Sequence, residues 1–212
     1  MMKKGLFITF EGPDGSGKTT QIKLLRDFLK GEGFEVVITA EPGGTEVGQR
    51  IRNILLTRSN LDISPESETF LFLASRAELV SKVIKPALEE GKIVICDRFF
   101  DSTVVYQGIA RGLGEKKILE INFLATGGLI PDITFLLMVK VSRGKKRIDS
   151  TRREKDRIEM EKDEFKEKIY RGYTDIAAGN EGRVKVINGD KSIEDIFQEI
   201  KKKVRLHLGD LK

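Results

Sequence analysis

One cysteine, one histidine and no tryptophan in 212 residues remove several chemistries at once. Cys96 alone cannot close an internal disulfide, and with His207 it offers too few ligands for a four-coordinate zinc site. A reducing setting, the cytoplasm, is expected. His207 lies in a lysine-rich helical pattern near the C-terminus and is expected on the surface, so a His-based hydrolase triad is excluded. Long apolar runs are missing too. The stretch from Ile133 to Val139 falls far short of a membrane span, and Glu11 ends the N-terminal run behind Lys3 and Lys4 before it can serve as a signal peptide. Neither sign of charge dominates. Lysine plus arginine number 38 against 33 aspartate plus glutamate, and a net +5 suits nucleotides, nucleic acid or plain solubility equally well.

What is present is a chain of ordinary globular composition, 39% hydrophobic and 33% charged with the signs mixed, and the length suits one domain over residues 1–212. Five short apolar runs read as strands buried on both faces: Leu6 to Phe10, Val36 to Thr39, Ile93 to Cys96, Ile133 to Val139 and Val184 to Ile187. Helical periods fill the gaps at Thr19 to Lys30, Glu46 to Leu56, Glu115 to Ala125, Lys162 to Ala178 and Ser192 to Leu206. Another starts at Pro65 and should break or kink before Pro86. Such alternation predicts an α/β fold, a parallel five-stranded sheet with helices on both faces.

The sharpest motif is Gly12-Pro13-Asp14-Gly15-Ser16-Gly17-Lys18-Thr19, which satisfies G-x-x-x-x-G-K-[ST] between a predicted strand and a predicted helix. Its glycines let backbone N–H groups turn inward around phosphate oxygens, and the following helix N-terminus adds partial positive charge. The loop through Thr20 is therefore the expected ATP cradle of a P-loop NTPase fold. Lys18 should reach the β- and γ-phosphates, and Thr19 should give its hydroxyl to Mg²⁺. Asp97, ending the apolar run Ile93 to Cys96, has the usual shape of the second metal-orienting motif. Cys96 beside it reads as a small core residue.

A phosphate loop serves motors, switches and kinases alike. A guanine-reading N-K-x-D is absent, and the chain is short for a helicase-like ATPase. A small kinase needs mobile cations that close over the transferring phosphoryl group. Residues 143–157, where eight of fifteen are Lys or Arg, could supply them as a short basic lid, although a solvated helix face accounts for such a run as readily. The rivals left open are a kinase for another nucleoside monophosphate and a nucleotide-regulated nucleic-acid binder.

Over nearly its whole length the chain resembles the thymidylate kinase family. The resemblance rests on Phe10 through Gln21, on Glu41-Pro42-Gly43-Gly44-Thr45 with Arg52 after it, and on Phe72-Leu73-Ala74-Ser75-Arg76. It continues in Asp97-Arg98-Phe99, Asp101-Ser102-Thr103, Tyr106-Gln107-Gly108 and Asp156-Arg157-Ile158-Glu159. The family likeness implies ATP-dependent phosphorylation of dTMP to dTDP with Mg²⁺ in a homodimer, with neither membrane nor nucleic acid as partner. It also implies roles. Arg98 bridges acceptor and donor phosphates, Phe72 stacks on thymine, and Arg76 and Gln107 read the base edge. Tyr106 crowds the 2′ position of the sugar, Asp14 lies near the 3′-hydroxyl and metal, and Arg52 and Thr103 join the acceptor site. Two departures stand out. Ala40 replaces the usual arginine before Glu41, and the basic segment lacks an Asp-Pro-Glu-like lead after Val141. Because Gly15 and Ser16 put no arginine in the phosphate loop, the lid is expected to provide the catalytic cation, from Arg152 first and Arg147 second.

Overall fold

The computed structural model describes residues 5–57, 62–150, 154 and 156–209. Five strands, β1 (Leu6–Glu11), β2 (Val36–Ala40), β3 (Ile93–Asp97), β4 (Ile133–Met138) and β5 (Val184–Asn188), form one sheet in the order β2-β3-β1-β4-β5. Every pairing is parallel, as helical crossovers between successive strands allow. The inner strands β1, β3 and β4 are buried on both faces as expected, but the edge strands β2 and β5 are not, and Ile38 and Val186 are exposed there.

Alternation along the central strand loads both faces. Ile8 and Phe10 pack with Ile95 and Phe135 against Leu25 and Leu29 of α1 (Lys18–Gly31) and Ile196, Ile200 and Val204 of α9 (Ile193–Leu208). Phe7, Val94 and Cys96 face the other way, against Leu79, Ile84 and Phe99. A third cluster joins Leu136 to Val105, Tyr106, Ile169 and Tyr173.

Three helices open on a side-chain cap. Thr45 accepts from Gly48 N at the start of α2 (Glu46–Leu56), Ser64 from Ser67 N at α3 (Pro65–Leu79), and Ser192 from Asp195 N at α9. The predicted interruption before Pro86 is a π-helical turn over Val80–Ile84, after which α4 (Lys85–Glu89) resumes.

Two helices lie where periodicity predicted none. The first is α5 (Phe100–Thr103), continued by a π-helical stretch over Val104–Ala110. Residues 101–108 are all buried, so this helix shows no polar face and hence no amphipathic period. The second, α7 (Val141–Ser150), is the first half of the basic segment, and only Gly144 among its residues is buried. Much of what holds it is a close backbone approach at Gly144 and the Arg147 hydrogen bonds, which a hydrophobic pattern does not record. The remaining helices are α6 (Glu115–Thr126) and α8 (Asp163–Gly179).

Candidate active site

Parallel strands deliver their C-terminal ends to one edge. Register pairs Phe10 with Asp97, so the phosphate loop leaving β1 and the acid ending β3 emerge side by side. Thr19 donates its hydroxyl to Asp97 Oδ2 at 3.3 Å, an oxygen pair open to the cavity. The loop closes on its own lysine. Lys18 Nζ donates to Gly12 O at 3.0 Å and Pro13 O at 3.3 Å, and burial together with the nearby Arg98 charge lowers its pKa.

Helix α7 lies directly on this loop. Gly15 has φ +74°, and a Cβ there would meet Gly144 O at 2.5 Å; one on Gly144 would meet Asp14 O at 2.8 Å. Two glycines thus set the distance between loop and helix. Arg147, one turn further on, donates to Gly15 O at 3.1 Å and to Gly189 O at 3.1 Å. The basic segment therefore places a guanidinium against the phosphate cradle. Arg152, the other expected lid cation, lies outside the described residues.

A cavity of about 720 Å³ runs from the loop across the sheet edge. It brings together Asp14, Gly15, Ser16, Gly17, Lys18, Thr19, Thr20, Arg52, Phe72, Arg76, Asp97, Arg98, Thr103, Tyr106, Gln107 and Arg147. Of the expected loop residues, Gly12 and Pro13 are not among the residues lining this cavity; Pro13 faces a small neighbouring space behind Asp14 and Tyr106. Phe72 is half-buried on the wall rather than packed in the core. Ala40 also lines the cavity, where the missing arginine would have stood, and Arg52 donates to Pro42 O at 2.9 Å beside it.

Arg98 joins the two ends. It alone among the described non-glycine residues has a positive φ, 69°, a conformation that costs roughly 1 kcal/mol and turns the side chain inward. One terminal nitrogen donates to Asp14 Oδ1 at 2.6 Å, the other to Ser102 Oγ at 3.1 Å and Tyr173 Oη at 3.0 Å. The guanidinium carbon sits 5.2 Å from the centroid of the Tyr106 ring. Below lies Glu11, fully buried, accepting from Phe99 N at 2.7 Å, Ser102 Oγ at 2.6 Å and Tyr173 Oη at 2.9 Å. Burial, helped by the Asp101 charge, pushes its carboxyl up to about 7.

Arg76 is held in a comparable way. Glu41 takes its Nε at 2.7 Å and one terminal nitrogen, while the other donates to Thr103 Oγ1 at 2.9 Å and to Asn122 Oδ1. Those bonds engage four of the five guanidinium N–H groups, leaving one for the cavity that Arg76 lines. Glu68 in turn binds Gln107, Arg111 and Arg157. Sequence reasoning missed Glu11, Glu41 as a partner of Arg76, Glu68, Asn122 and Tyr173. The one local signal was an isolated acid closing an apolar strand or opening a helix.

Comparison with known proteins gives the family. The family model described as thymidylate kinase matches residues 10–200. A thymidylate kinase of Maridesulfovibrio salexigens is 48% identical over 205 residues, 94% of each chain, and one of Thermoanaerobacter sp. is 44% identical over 97% of this chain and all of that one. The crystal structure of thymidylate kinase from Ehrlichia chaffeensis superposes with a TM-score of 0.77 at 39% identity, covering 95% of this chain and 99% of that one. The chain belongs to the thymidylate kinase family, the phosphotransferases that convert dTMP to dTDP with ATP on the way to dTTP.

Proposed function

We propose that in this chain the phosphoryl group passes between ATP on the phosphate loop and dTMP lying along the Phe72–Gln107 wall, with Arg98 between them. The observation that carries this reading is the continuity of one cavity from Lys18 to Phe72, spanned by the Asp14–Arg98 ion pair. Gly12 to Thr20 cradle the ATP phosphates, and Lys18 leaves its loop carbonyls for the β- and γ-oxygens. Arg98, forked and permanently charged, takes oxygens of both donor and acceptor. Arg147, with Arg152, adds charge where it develops in transfer. Phe72 stacks on thymine, Arg76 and Gln107 read its edge, and Tyr106 closes the space beside C2′. Arg52 and Thr103 complete the acceptor pocket, and Asp14 serves the sugar hydroxyl and metal.

Thr19 and Asp97 would hold Mg²⁺. Their donors are both oxygen, and no group of three or more His, Cys, Asp or Glu side chains stands ready to hold a metal among the described residues. That sparse set suits an ion that keeps waters and takes phosphate oxygens rather than a protein cage. When bound, it neutralises charge on the two terminal phosphates.

The lid assignment covers residues 143–157 within a single domain. A homodimer is supported by an exposed apolar strip on neighbouring helices: Val47 and Ile54 of α2, Phe70 of α3, and Leu119 and Phe123 of α6. Phe70→Asp should shift the sedimentation coefficient to that of a monomer. A cytoplasmic setting fits a buried, unpaired Cys96 and the absence of any described helix long and apolar enough to cross a membrane. A coupled assay of ATP consumption against dTMP, dUMP, UMP, CMP, GMP and AMP tests the assignment. Turnover should be highest with dTMP, and preference for any ribonucleotide would refute it.

A further inference from the structure

Glu68 is 1% exposed on α3, one turn before Phe72, and takes no part in the phosphate chemistry. Its Oε1 accepts from Gln107 Nε2 at 2.8 Å and Arg111 Nε at 3.2 Å, and its Oε2 from Arg111 at 3.2 Å and from Arg157. Arg111 is shared with Glu161 at 2.7 Å, and Arg157 also donates to Leu55 O at 2.9 Å. Burial works against the charged form, but the bonds from Arg111, Gln107 and Arg157 outweigh it and hold the carboxyl below its ordinary range. An ionised carboxylate only accepts hydrogen bonds. A glutamine amide can otherwise turn over, exchanging its oxygen and nitrogen within nearly the same volume.

We infer that Glu68 is a positioning residue for base selectivity, holding the Gln107 amide with its nitrogen inward so that its carbonyl faces the cavity. This rests on the reading of Gln107 as a base contact. A carbonyl presented to the base meets the N3–H of thymine or uracil, a donor. Cytosine has a lone pair at N3, and two acceptors would then face each other without a proton. A site built to bond an N–H rejects a ligand lacking it because its own polar group is left unpaired. The expected discrimination is about ten- to a hundredfold. The same carboxylate ties Arg157, at the end of the basic segment, to the base-reading wall.

The test compares kcat/KM for dUMP and dCMP, which share sugar and phosphate and both lack the methyl group. In Glu68→Gln the neighbouring amide can donate as well as accept, so Gln107 is free to turn over. The dUMP/dCMP ratio should fall at least about tenfold, carried by KM and partly by a gain for dCMP, and Glu68→Asp should restore much of it. A merely structural role would depress both substrates together and leave the ratio intact, which overturns the inference. Gln107→Leu separates the two layers. If it collapses the ratio while folded Glu68→Gln does not, Glu68 has no orienting role; if it too leaves the ratio unchanged, the base-reading role of Gln107 falls first. Should Glu68→Gln fail to fold, Gln107→Glu gives an independent reading. The introduced carboxyl must donate its proton to Glu68, so kcat/KM for dUMP should decline steeply as pH rises from 6 to 9. A profile parallel to that of the parent protein contradicts the orientation.

Discussion

The two ends of the cavity are built from different materials. At the end assigned above to ATP the wall is mostly backbone: a loop of glycines with positive φ leading into a helix N-terminus, with one lysine tethered to the carbonyls of its own loop. At the end assigned to dTMP the wall is side chains, and three of its polar groups rest on buried carboxylates from elsewhere in the chain. Glu41 holds Arg76, Glu68 holds Gln107, and Glu11 holds the Ser102–Tyr173 pair that steadies Arg98. Backbone recognition suits phosphate, which every nucleotide shares. Distinguishing one base from another needs donors and acceptors fixed in direction, and the carboxylates behind Arg76 and Gln107 supply that direction.

The largest single loss is expected at the phosphate loop. Lys18→Ala should lower phosphoryl transfer by about 10²- to 10³-fold in single-turnover measurements, with dTMP binding and the unfolding midpoint little changed. At the other end the effect is on choice rather than rate. Tyr106 is 7% exposed, and its ring packs edge-on near Phe165 and Tyr173, which limits its movement away from the cavity. The parent protein should prefer dUMP to UMP by roughly ten- to a hundredfold in kcat/KM, and Tyr106→Ala should narrow that gap mainly by improving UMP. Arg147→Ala should cut kcat by about tenfold while KM for dTMP moves far less, since its partner charge is placed only as transfer proceeds. Arg152→Ala should cost more. Equal turnover in both variants would return the basic segment to a solvated surface.

A smaller effect concerns Glu11. Its carboxyl is raised from the ordinary 4.5 to about 7 in the folded protein, so between those values the folded state holds a proton that the unfolded chain has lost. Stability should therefore fall as pH rises from about 4.5 to about 7 and level off above, by on the order of 1 to 3 kcal/mol. Urea titrations from pH 5 to 8 read the slope. Glu11→Gln should lower stability at pH 5 by removing acceptors, yet flatten that pH dependence.

The same contrast explains what could be read from the chain. Gly12 to Thr19 are contiguous, and backbone chemistry at consecutive positions leaves a consecutive signature, so the loop, its helix and Asp97 were legible from residues alone. The five strands were legible as short apolar runs, but only β1, β3 and β4 are buried on both faces; the edge strands β2 and β5 expose Ile38 and Val186, because an edge strand packs fewer neighbours. Helix α5 was not, because complete burial removed its polar face. The carboxylate relays could not be paired from sequence: Glu11 meets Tyr173 across 162 positions and Gln107 meets Glu68 across 39, and an acid at a strand end or helix start does not say which distant residue it binds. Phe72, Arg76 and Tyr106 entered through family likeness, with core or surface readings as the local alternative. The structure puts all three on the cavity wall.

One experiment sets the two ends directly against each other. Glu41→Gln leaves the Arg76 guanidinium buried beside a neutral partner, at a site remote in construction from the phosphate loop. In the folded variant, calorimetric titration with dTMP and, separately, with a non-hydrolysable ATP analogue and Mg²⁺ should give dTMP affinity reduced by about tenfold or more, with the nucleotide analogue within twofold of the parent. Equal weakening of both ligands, or unchanged dTMP affinity, would contradict an acceptor site whose side chains are held by buried carboxylates.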